Sequence, residues 1–447
     1  MAGRTVTDLA TKLRRGLTAA GVALGLAACG PGPSAQPAAP TAASPTAAAP
    51  PVDQAWVQLT DRGAEARLIT AAASCPDAIV DGKPLVTHPR GAPSADFPVT
   101  VCAVLLPKGT TSAQIGGHVL PLPVAAPQRI VIFGDTGCRL KGAAIQNCDN
   151  PADWPFATVA RLAAGHHPDL VIHVGDYYYR ESRCPAKAGC GDSPWGDNWT
   201  TWSADFFQPA APLLAAAPWV IVRGNHEDCS RGGPGWFTLL DNAPTALACP
   251  AASAPMALDI GGLTLYVLDS SGTEDSQAPP DLVARFAAQL DILTRRPPAG
   301  PAWIITHRPI WGLVPVATVG PIGPFETPIN ATEQAAAHRR SLAAVQMVVS
   351  GHIHHFATFA FAGDRPAQLV AGTGGDIGEP GDTPRVLSDT VSLDGLRAQR
   401  FGFDRYGFLV LERAGTDWAG DFYDVRDRPI AHCRLTGRAL TCQATPP

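Results

Sequence analysis

The most informative segment of the sequence is Asp169-Leu170-Val171-Ile172-His173-Val174-Gly175-Asp176-Tyr177-Tyr178-Tyr179. Its first half is apolar enough to be a buried strand of a parallel sheet, and open α/β sheets place their sites at the carboxyl ends of such strands. Asp176 can bridge two cations there, because a carboxylate has two oxygens. Tyr179 can return to one of them as phenolate, a hard anionic ligand that favours a trivalent metal such as Fe(III). A Gly-Asp turn after a strand is common, so this stretch alone does not establish a metal site.

Four further stretches place polar side chains directly after an apolar, β-like run. They are Gly134-Asp135-Thr136-Gly137, Gly224-Asn225-His226-Glu227, Ile305-Thr306-His307 and Gly351-His352-Ile353-His354. Oxygen and nitrogen ligands of these kinds suit iron, zinc and manganese. Between the strand-like runs lie helix-like ones, at 282–293 and 332–345. Strands that alternate with helices predict an α/β layered domain over residues 126–447.

Residues 56–125 have a different pattern and predict a small all-β domain. The clearest strand covers 99–106 and is stopped by Pro107, and Pro and Gly recur at turn spacing. At the other end of the chain, Cys433 to Cys442 predicts a terminal hairpin around Thr436-Gly437.

The first 28 residues are typical of a targeting segment. Basic residues precede an apolar run from Leu17 to Ala28 that is too short to span a membrane comfortably. The run ends in Leu26-Ala27-Ala28-Cys29, which resembles the lipobox of bacterial lipoproteins, where the cysteine becomes the lipid-modified first residue. The alternative is an ordinary secretory signal in which Cys29 is incidental.

Residues 29–55, rich in Pro and Ala, predict an extended tether. We expect an exported protein of the bacterial cell envelope, periplasmic or on the outer surface, attached to the membrane by an N-terminal lipid.

The cysteine count supports export. The chain has 11 cysteines, and setting Cys29 aside leaves an even number. Pairing neighbours along the chain gives Cys75–Cys102, Cys138–Cys148, Cys184–Cys190, Cys229–Cys249 and Cys433–Cys442, although sequence cannot fix connectivity. Such bonds imply an oxidising compartment. A cysteine metal site is the competing interpretation, but the sequence has no C-x-x-C. The formal net charge of −5 argues against nucleic acid as a partner.

The five motifs, in this order, resemble those of the calcineurin-like metallophosphoesterases, and more closely those of the purple acid phosphatases. That family carries GDxG, GDxxY, GNH[ED], VxxH and GHxH, which stand here as GDTG, GDYYY, GNHE, IITH and GHIH. The one departure is Ile304 in place of Val. The resemblance covers about residues 128–380. It implies an α/β (α+β) fold of two packed mixed β-sheets flanked by helices, preceded here by the small all-β domain.

The resemblance also implies the ligands of two metal ions. One metal would be held by Asp135, Asp176, Tyr179 and His354, and the other by Asp176, Asn225, His307 and His352. Many relatives have a histidine where this chain has Gly137, and Tyr179 would replace that ligand. The first metal is expected to be Fe(III), with a tyrosinate charge-transfer colour, and the second Fe(II), Zn(II) or Mn(II). A metal-bound hydroxide would attack the phosphorus of a small phosphorylated substrate, in line with the leaving alcohol.

The leaving oxygen then needs a proton, and His226 is the candidate general acid, with Glu227 orienting its ring and raising its pKa. Purple acid phosphatases usually place another histidine several residues after the fourth motif, but none follows Arg308 here. Arg308 and His355 are candidates for substrate contact.

We expect a phosphomonoesterase of the acid phosphatase type, and three alternatives stay open. One is a phosphodiesterase acting on nucleotides or lipid headgroups. Another is a surface lipoprotein that binds metal or phosphate without turnover. A structural envelope lipoprotein is the third, but it would not need seven ligand side chains at five strand ends.

Overall fold

A computed structural model of the protein describes residues 53–185, 188–245, 248–316, 325–376 and 386–446. The predicted targeting segment, Cys29 and the tether up to residue 52 lie outside the described residues. Within the described ranges, no helix has the length and apolar character needed to cross a membrane.

The described residues form 27 β-strands. In chain order they are β1 Gln54–Thr60, β2 Gly63–Thr70, β3 Ala78–Val80, β4 Lys83–Leu85, β5 His88–Pro89, β6 Thr100–Leu105, β7 Ala113–Ile115, β8 His118–Val119, β9 Arg129–Phe133, β10 Leu140–Lys141, β11 Ala144–Ile145, β12 Leu170–His173, β13 Trp219–Ile221, β14 Met256–Asp259, β15 Thr264–Val267, β16 Ala302–Ile305, β17 Gly312–Val316, β18 Phe325–Ile329, β19 Met347–Ser350, β20 Phe356–Phe361, β21 Ala367–Ala371, β22 Leu387–Leu393, β23 Leu396–Phe403, β24 Gly407–Ala414, β25 Asp417–Asp424, β26 Pro429–Thr436 and β27 Ala439–Ala444.

Helices are fewer and mostly short. They are α1 Phe156–Gly165, α2 Trp199–Trp202, α3 Gln208–Leu214, α4 Gly233–Leu239, α5 Pro280–Leu290, α6 Ile292–Arg295 and α7 Ala331–Ala337, with a π-helix at Ser203–Phe207 and a 3₁₀ turn at Asn225–Glu227.

Two large mixed sheets contain most of these strands. Across the described chain, the first has 11 strands in the order β27-β26-β25-β24-β9-β12-β13-β1-β2-β6-β5, and the second has eight in the order β14-β15-β16-β19-β21-β20-β23-β22. Strands β9, β12 and β13 run parallel in the middle of the first sheet. Strands β15, β16, β19 and β21 run parallel in the second. The predicted fold of two packed mixed sheets flanked by helices is confirmed.

Strand β12 shows why the central strands are apolar throughout. Leu170 and Ile172 belong to the core between the two sheets. Val171, which points to the opposite face, packs into the core under helices α1 and α3. Because successive side chains of a strand alternate between faces, a strand covered on both sides must be apolar at every position.

The N-terminal region is all-β, and it continues the first sheet. Gln58 of β1 pairs in parallel with Trp219 of β13. The strand expected at 99–106 is β6, which joins the same sheet through β2. Buried Arg67 donates to the carbonyl oxygens of Leu239 and Asp241, at 3.0 and 2.7 Å. The boundary expected near residue 125 therefore does not divide the sheet.

Several local predictions are confirmed, and one helix is shorter than expected. The five disulfide bonds are those obtained by pairing neighbours. Strands β26 and β27 form the terminal hairpin, with Cys433 opposite Cys442. The helix expected over 332–345 ends at Ala337, and beyond it His338 and Arg340 bind Asp394 and Asp291.

Candidate metal centre

The five motif loops meet at one edge of the sandwich. Asp135, Asp176 and Asn225 follow β9, β12 and β13 of the first sheet, while His307 follows β16 of the second. The His-x-His motif follows β19, which pairs with β16. The carboxyl ends of neighbouring parallel strands lie side by side, so the sequence motifs become one cluster.

One half of the cluster surrounds the hydroxyl of Tyr179. Its Oη donates to Asp176 Oδ2 at 2.7 Å and lies 3.2 Å from Asp135 Oδ1. His354 Nε2 lies 3.1 Å from the same Oη and 3.5 Å from Asp135 Oδ1. Four side chains assigned to the first metal thus place a ligand atom each within a few ångströms of one another.

The other half surrounds the amide oxygen of Asn225. His307 Nε2 lies 2.9 Å from Asn225 Oδ1, and His352 Nδ1 lies 2.8 Å from it. His307 Nε2 also lies 3.2 Å from Asp176 Oδ2. Because Asp176 Oδ2 contacts both Tyr179 and His307, this carboxylate belongs to both halves.

Each of the three histidines is held by the ring nitrogen that faces away from the cluster. His307 Nδ1 lies 2.8 Å from the carbonyl oxygen of Val174, and His352 Nε2 lies 3.0 Å from Asp275 Oδ1. His354 Nδ1 lies 3.3 Å from Asp376 Oδ2. An acceptor on one nitrogen fixes the tautomer that leaves the other free to ligate a metal, as is usual for metal-binding histidines.

The cluster is buried and rich in negative charge. Asp135 is 0% exposed and Asp176 is 1% exposed. Burial, followed by the charges of Asp176 and Asp135, raises the pKa of Tyr179 well above its ordinary value. Burial alone would lower the pKa of His307, but the neighbouring Asp176 raises it to about 9. The site therefore attracts positive charge, and a cation in reach of these oxygens would favour the phenolate form of Tyr179.

The backbone also carries strain at this edge. Asp135, Asp176 and His352 all have positive φ, at 58°, 60° and 71°. Non-glycine residues rarely adopt this conformation, and such outliers concentrate at functional sites. Gly224 is required nearby, since a Cβ there would lie 2.0 Å from Asp176 Oδ1. The donor set, its held histidines and its strained loops fit two metal ions, and Asp135, Asp176 and His307 can place ligand atoms within 4.8 Å of one another.

The structure corrects the role predicted for Glu227. Its carboxylate accepts backbone N–H groups from Gly224, Asp176, Tyr177 and Tyr178, at 2.8 to 3.1 Å. The short 3₁₀ turn directs this side chain back onto Gly224 and onto the loop after β12. Glu227 therefore holds the backbone of that loop and does not orient His226.

His226 is held by a residue that the sequence did not single out. Its Nδ1 lies 2.6 Å from Glu181 Oε1, and its Nε2 lies 3.9 Å from Asp176 Oδ2. Its ring packs on Tyr179 with 3.8 Å between centroids. Burial lowers the pKa of His226 to about 4, although Asp176 and Glu181 act to raise it. His226 lies against the metal cluster, so its position fits the predicted general acid. The predicted rise in its pKa is contradicted, because burial outweighs the effect of the two carboxylates.

Arg308 and His355, the candidates for substrate contact, have other partners in the structure. Arg308 Nε donates to Asp275 Oδ1 at 2.9 Å, and its Nη1 donates to the carbonyl oxygens of Ser270 and Ser271. Arg308 therefore supports the carboxylate behind His352. His355 Nδ1 lies 3.9 Å from Asp404 Oδ1, outside the contacts that define the cluster.

Three carboxylates that position the cluster were missed: Glu181, Asp275 and Asp376. Glu181 follows Asp176 by five residues, so its proximity to the motif was a usable signal. Asp376 follows the end of β21 by five residues, after the turn Gly372-Thr373-Gly374-Gly375, so it also had a usable signal. Asp275 lies in a segment without a strand-end motif.

Among the solved structures similar to this chain, PhoD shows the same fold. The yellow lupin (Lupinus luteus) purple acid phosphatase PPD1 is 14% identical with a TM-score of 0.47, covering 88% of this chain and 74% of that one. PhoD is 13% identical with a TM-score of 0.50, covering 90% and 94%. GAP50 of Plasmodium is 11% identical with a TM-score of 0.40, covering 71% and 88%. No curated protein matches this sequence.

A family match is more specific than these distant structures. The family model described as calcineurin-like phosphoesterase matches residues 128–356, which is more than half of the chain and includes all five motifs. The residues that it spans include every side chain of the buried cluster. The chain therefore belongs to the calcineurin-like phosphoesterase family and is a metal-dependent phosphoester hydrolase.

Proposed function

We propose that the protein is a binuclear phosphatase of the purple acid phosphatase type, acting on small phosphate monoesters. Asp135, Asp176, Tyr179 and His354 would hold Fe(III), and Asp176, Asn225, His307 and His352 would hold Fe(II), Zn(II) or Mn(II). Such a pair of cations supplies Lewis acidity and a nucleophilic oxygen near neutral pH.

The observation that carries the proposal is that Gly137 stands where many relatives have a histidine ligand, and that Tyr179 occupies the space of that ligand. A Cβ at position 137 would lie 2.8 Å from the Cδ2 atom and the backbone nitrogen of Tyr179. A histidine at 137 and the tyrosine in its present place therefore exclude each other. The phenol hydroxyl stands instead among two carboxylates and His354, where a phenolate ligand to Fe(III) belongs.

The protein's own groups account for the rest of the reaction. Water gives up a proton as its oxygen bonds to phosphorus, the ester P–O bond breaks with its electron pair on the alcohol oxygen, and that oxygen takes up a proton, so that one proton is lost and one gained. His226 is the proposed proton donor, held by Glu181 at 2.6 Å. Glu227 keeps the loop of Asp176 in place through its four backbone contacts.

Metal content and the visible spectrum of the purified protein test this proposal. We expect two metal ions per chain, a broad visible band that Tyr179→Phe abolishes, and faster hydrolysis of aryl phosphate monoesters than of diesters. Two metals without the band would assign the site to zinc or manganese and make Tyr179 a non-ligand. Faster diester hydrolysis would favour the phosphodiesterase. If the folded protein binds no metal, the proposal that it is a phosphatase is contradicted, and the alternative of a surface lipoprotein without turnover is favoured.

We also propose export and lipid anchoring at Cys29. Five disulfide bonds are typical of a protein from an oxidising compartment, and Leu26-Ala27-Ala28-Cys29 has the lipobox pattern. Cys29→Ala should move the protein from the membrane fraction to the soluble fraction of a bacterial host. Unchanged fractionation would contradict the anchor.

A further inference from the structure

A small network of charged side chains lies beside His226, formed by Glu181, Arg231 and Lys141. Glu181 accepts from His226 and from Arg231 Nε at 2.9 Å. Its other oxygen, Oε2, lies 3.2 Å from Lys141 Nζ. One carboxylate is thus shared by two permanent cations, so the network carries a surplus positive charge.

The guanidinium of Arg231 lies next to the metal cluster. Its Nη2 lies 2.6 and 2.7 Å from the two ring nitrogens of His226, and its Nη1 donates to the carbonyl oxygen of Asn225 at 3.1 Å. His226 in turn lies 3.9 Å from the bridging Asp176. Only the imidazole ring of His226 therefore separates Arg231 from the bridging carboxylate of Asp176. The side chain of Arg231 is 16% exposed.

Arg308 and Arg231 both lie near the metal cluster, so their contacts can be compared. No histidine follows Arg308 in the segment after the fourth motif. The side chain of Arg308 is 10% exposed, against 16% for Arg231, and it is bonded to Asp275 and two backbone carbonyls. Of these two arginines, Arg231 is the one that lies beside the proposed proton donor.

We propose that Arg231 donates to a phosphoryl oxygen of the bound substrate and selects dianionic phosphate monoesters, with Glu181 as the residue that positions it. This inference rests on the proposed function of the metal centre. A guanidinium presents several N–H groups in a plane and matches phosphate oxygens well. A monoester offers three terminal oxygens and two negative charges, whereas a diester offers two such oxygens and one charge. Arg231 should therefore favour the monoester.

The test compares Arg231→Gln with Arg428→Gln. Arg428 is a matched control, because it bonds Asp424 through Nε and Nη2 in the C-terminal region. We expect Arg231→Gln to lower kcat/KM for an aryl phosphate monoester about 100-fold, with a much smaller loss for a bis-aryl phosphate diester. The inhibition constant of inorganic phosphate should rise about tenfold, a change of about 1.4 kcal/mol in binding. Arg428→Gln should change neither value.

A second variant separates phosphate contact from structural support. Arg231→Lys keeps the charge without the planar fork and should recover part of the monoester activity and of the phosphate inhibition. Equal losses on both ester classes with an unchanged phosphate inhibition constant would overturn the inference and make Arg231 a structural partner of Glu181. Failure of the unaltered protein to hydrolyse either ester would instead overturn the proposed function.

Discussion

Glu181 Oε1 lies 2.6 Å from Nδ1 of His226, whereas Glu227, the neighbour of His226 in sequence, bonds only backbone N–H groups among its contacts with the motif loops. The two glutamates therefore have different roles at the same site. Glu181 acts on a side chain that reacts, and Glu227 acts on the path of the backbone.

Replacing each glutamate by glutamine should separate these roles. In Glu227→Gln, an amide group would face N–H donors, and we expect a loss of about 3 kcal/mol in the free energy of unfolding. Glu181→Gln should leave that free energy nearly unchanged and lower kcat on monoesters. Urea unfolding and steady-state kinetics of both variants check this. A stable Glu227→Gln with reduced kcat alone would restore the original assignment of Glu227.

Asp275 should control the metal affinity of the second half of the cluster, because it holds His352 from behind at 3.0 Å. Removing a carboxylate that orients a metal-binding histidine typically costs 10- to 100-fold in metal affinity. We expect a loss in that range for Asp275→Ala, measured by competition with a chelator. Asp421→Ala is the control, since Asp421 bonds His432 at 2.7 Å outside the cluster. Equal affinities in both variants would contradict the assignment.

Glu333 should make stability depend on pH. Its Oε1 accepts from Thr273, and its Oε2 is buried with no hydrogen-bond partner among the described residues. Burial raises the pKa of Glu333 from 4.5 to about 7, with Arg308 acting against it. The folded state then binds more protons than the unfolded state between these values, so the free energy of unfolding falls as pH rises through this window.

Glu333→Gln removes this titration. Relative to the unaltered protein, the variant should gain stability as pH rises from 5 to 8, by up to roughly 3 kcal/mol. Thermal unfolding of both proteins at the two pH values measures the difference. A constant offset between them would show that the pKa of Glu333 does not change on folding.

The disulfide bond Cys229–Cys249 should matter for activity as well as stability, because it closes the segment that carries Arg231. Replacing both cysteines by alanine should cost roughly 3 kcal/mol of stability and lower kcat/KM on monoesters. The matched control is the Cys433–Cys442 pair in the terminal hairpin, whose loss should reduce stability alone. Unchanged kcat/KM in the first variant would show that the segment keeps its position without the bond.

The ligand cluster was predictable because its signals are local. Each candidate ligand lies within a few residues of a strand end, as Asp176 and His307 show, and parallel strands bring such ends together. The disulfide pairs were predictable for a similar reason, because each bond joins two cysteines that are neighbours along the chain. Glu227 was misassigned because adjacency in sequence does not say where a side chain points. Asp275 lies 77 residues from His352, and such a contact leaves no local pattern.

The fold was predictable to a similar depth. An apolar strand such as β12 indicates that other elements pack on both of its faces, and this predicted a layered core. The all-β region at the N-terminus was recognisable from its turns, but the pairing of Gln58 with Trp219 was not. Sheet pairing between distant segments depends on packing of the whole chain, which local composition does not encode.

The cluster takes ligands from both sheets: Asp135, Asp176, Tyr179 and Asn225 from the first, and three histidines from the second. In the described chain, no disulfide bond joins a strand of one sheet to a strand of the other. Metal ions bound at this edge would therefore connect the two sheets reversibly. Their binding would stabilise the folded state by mass action. We expect protein treated with a chelator to open first at this edge and to be cut there by proteases. Metal supply would then decide how long each molecule survives as well as whether it works.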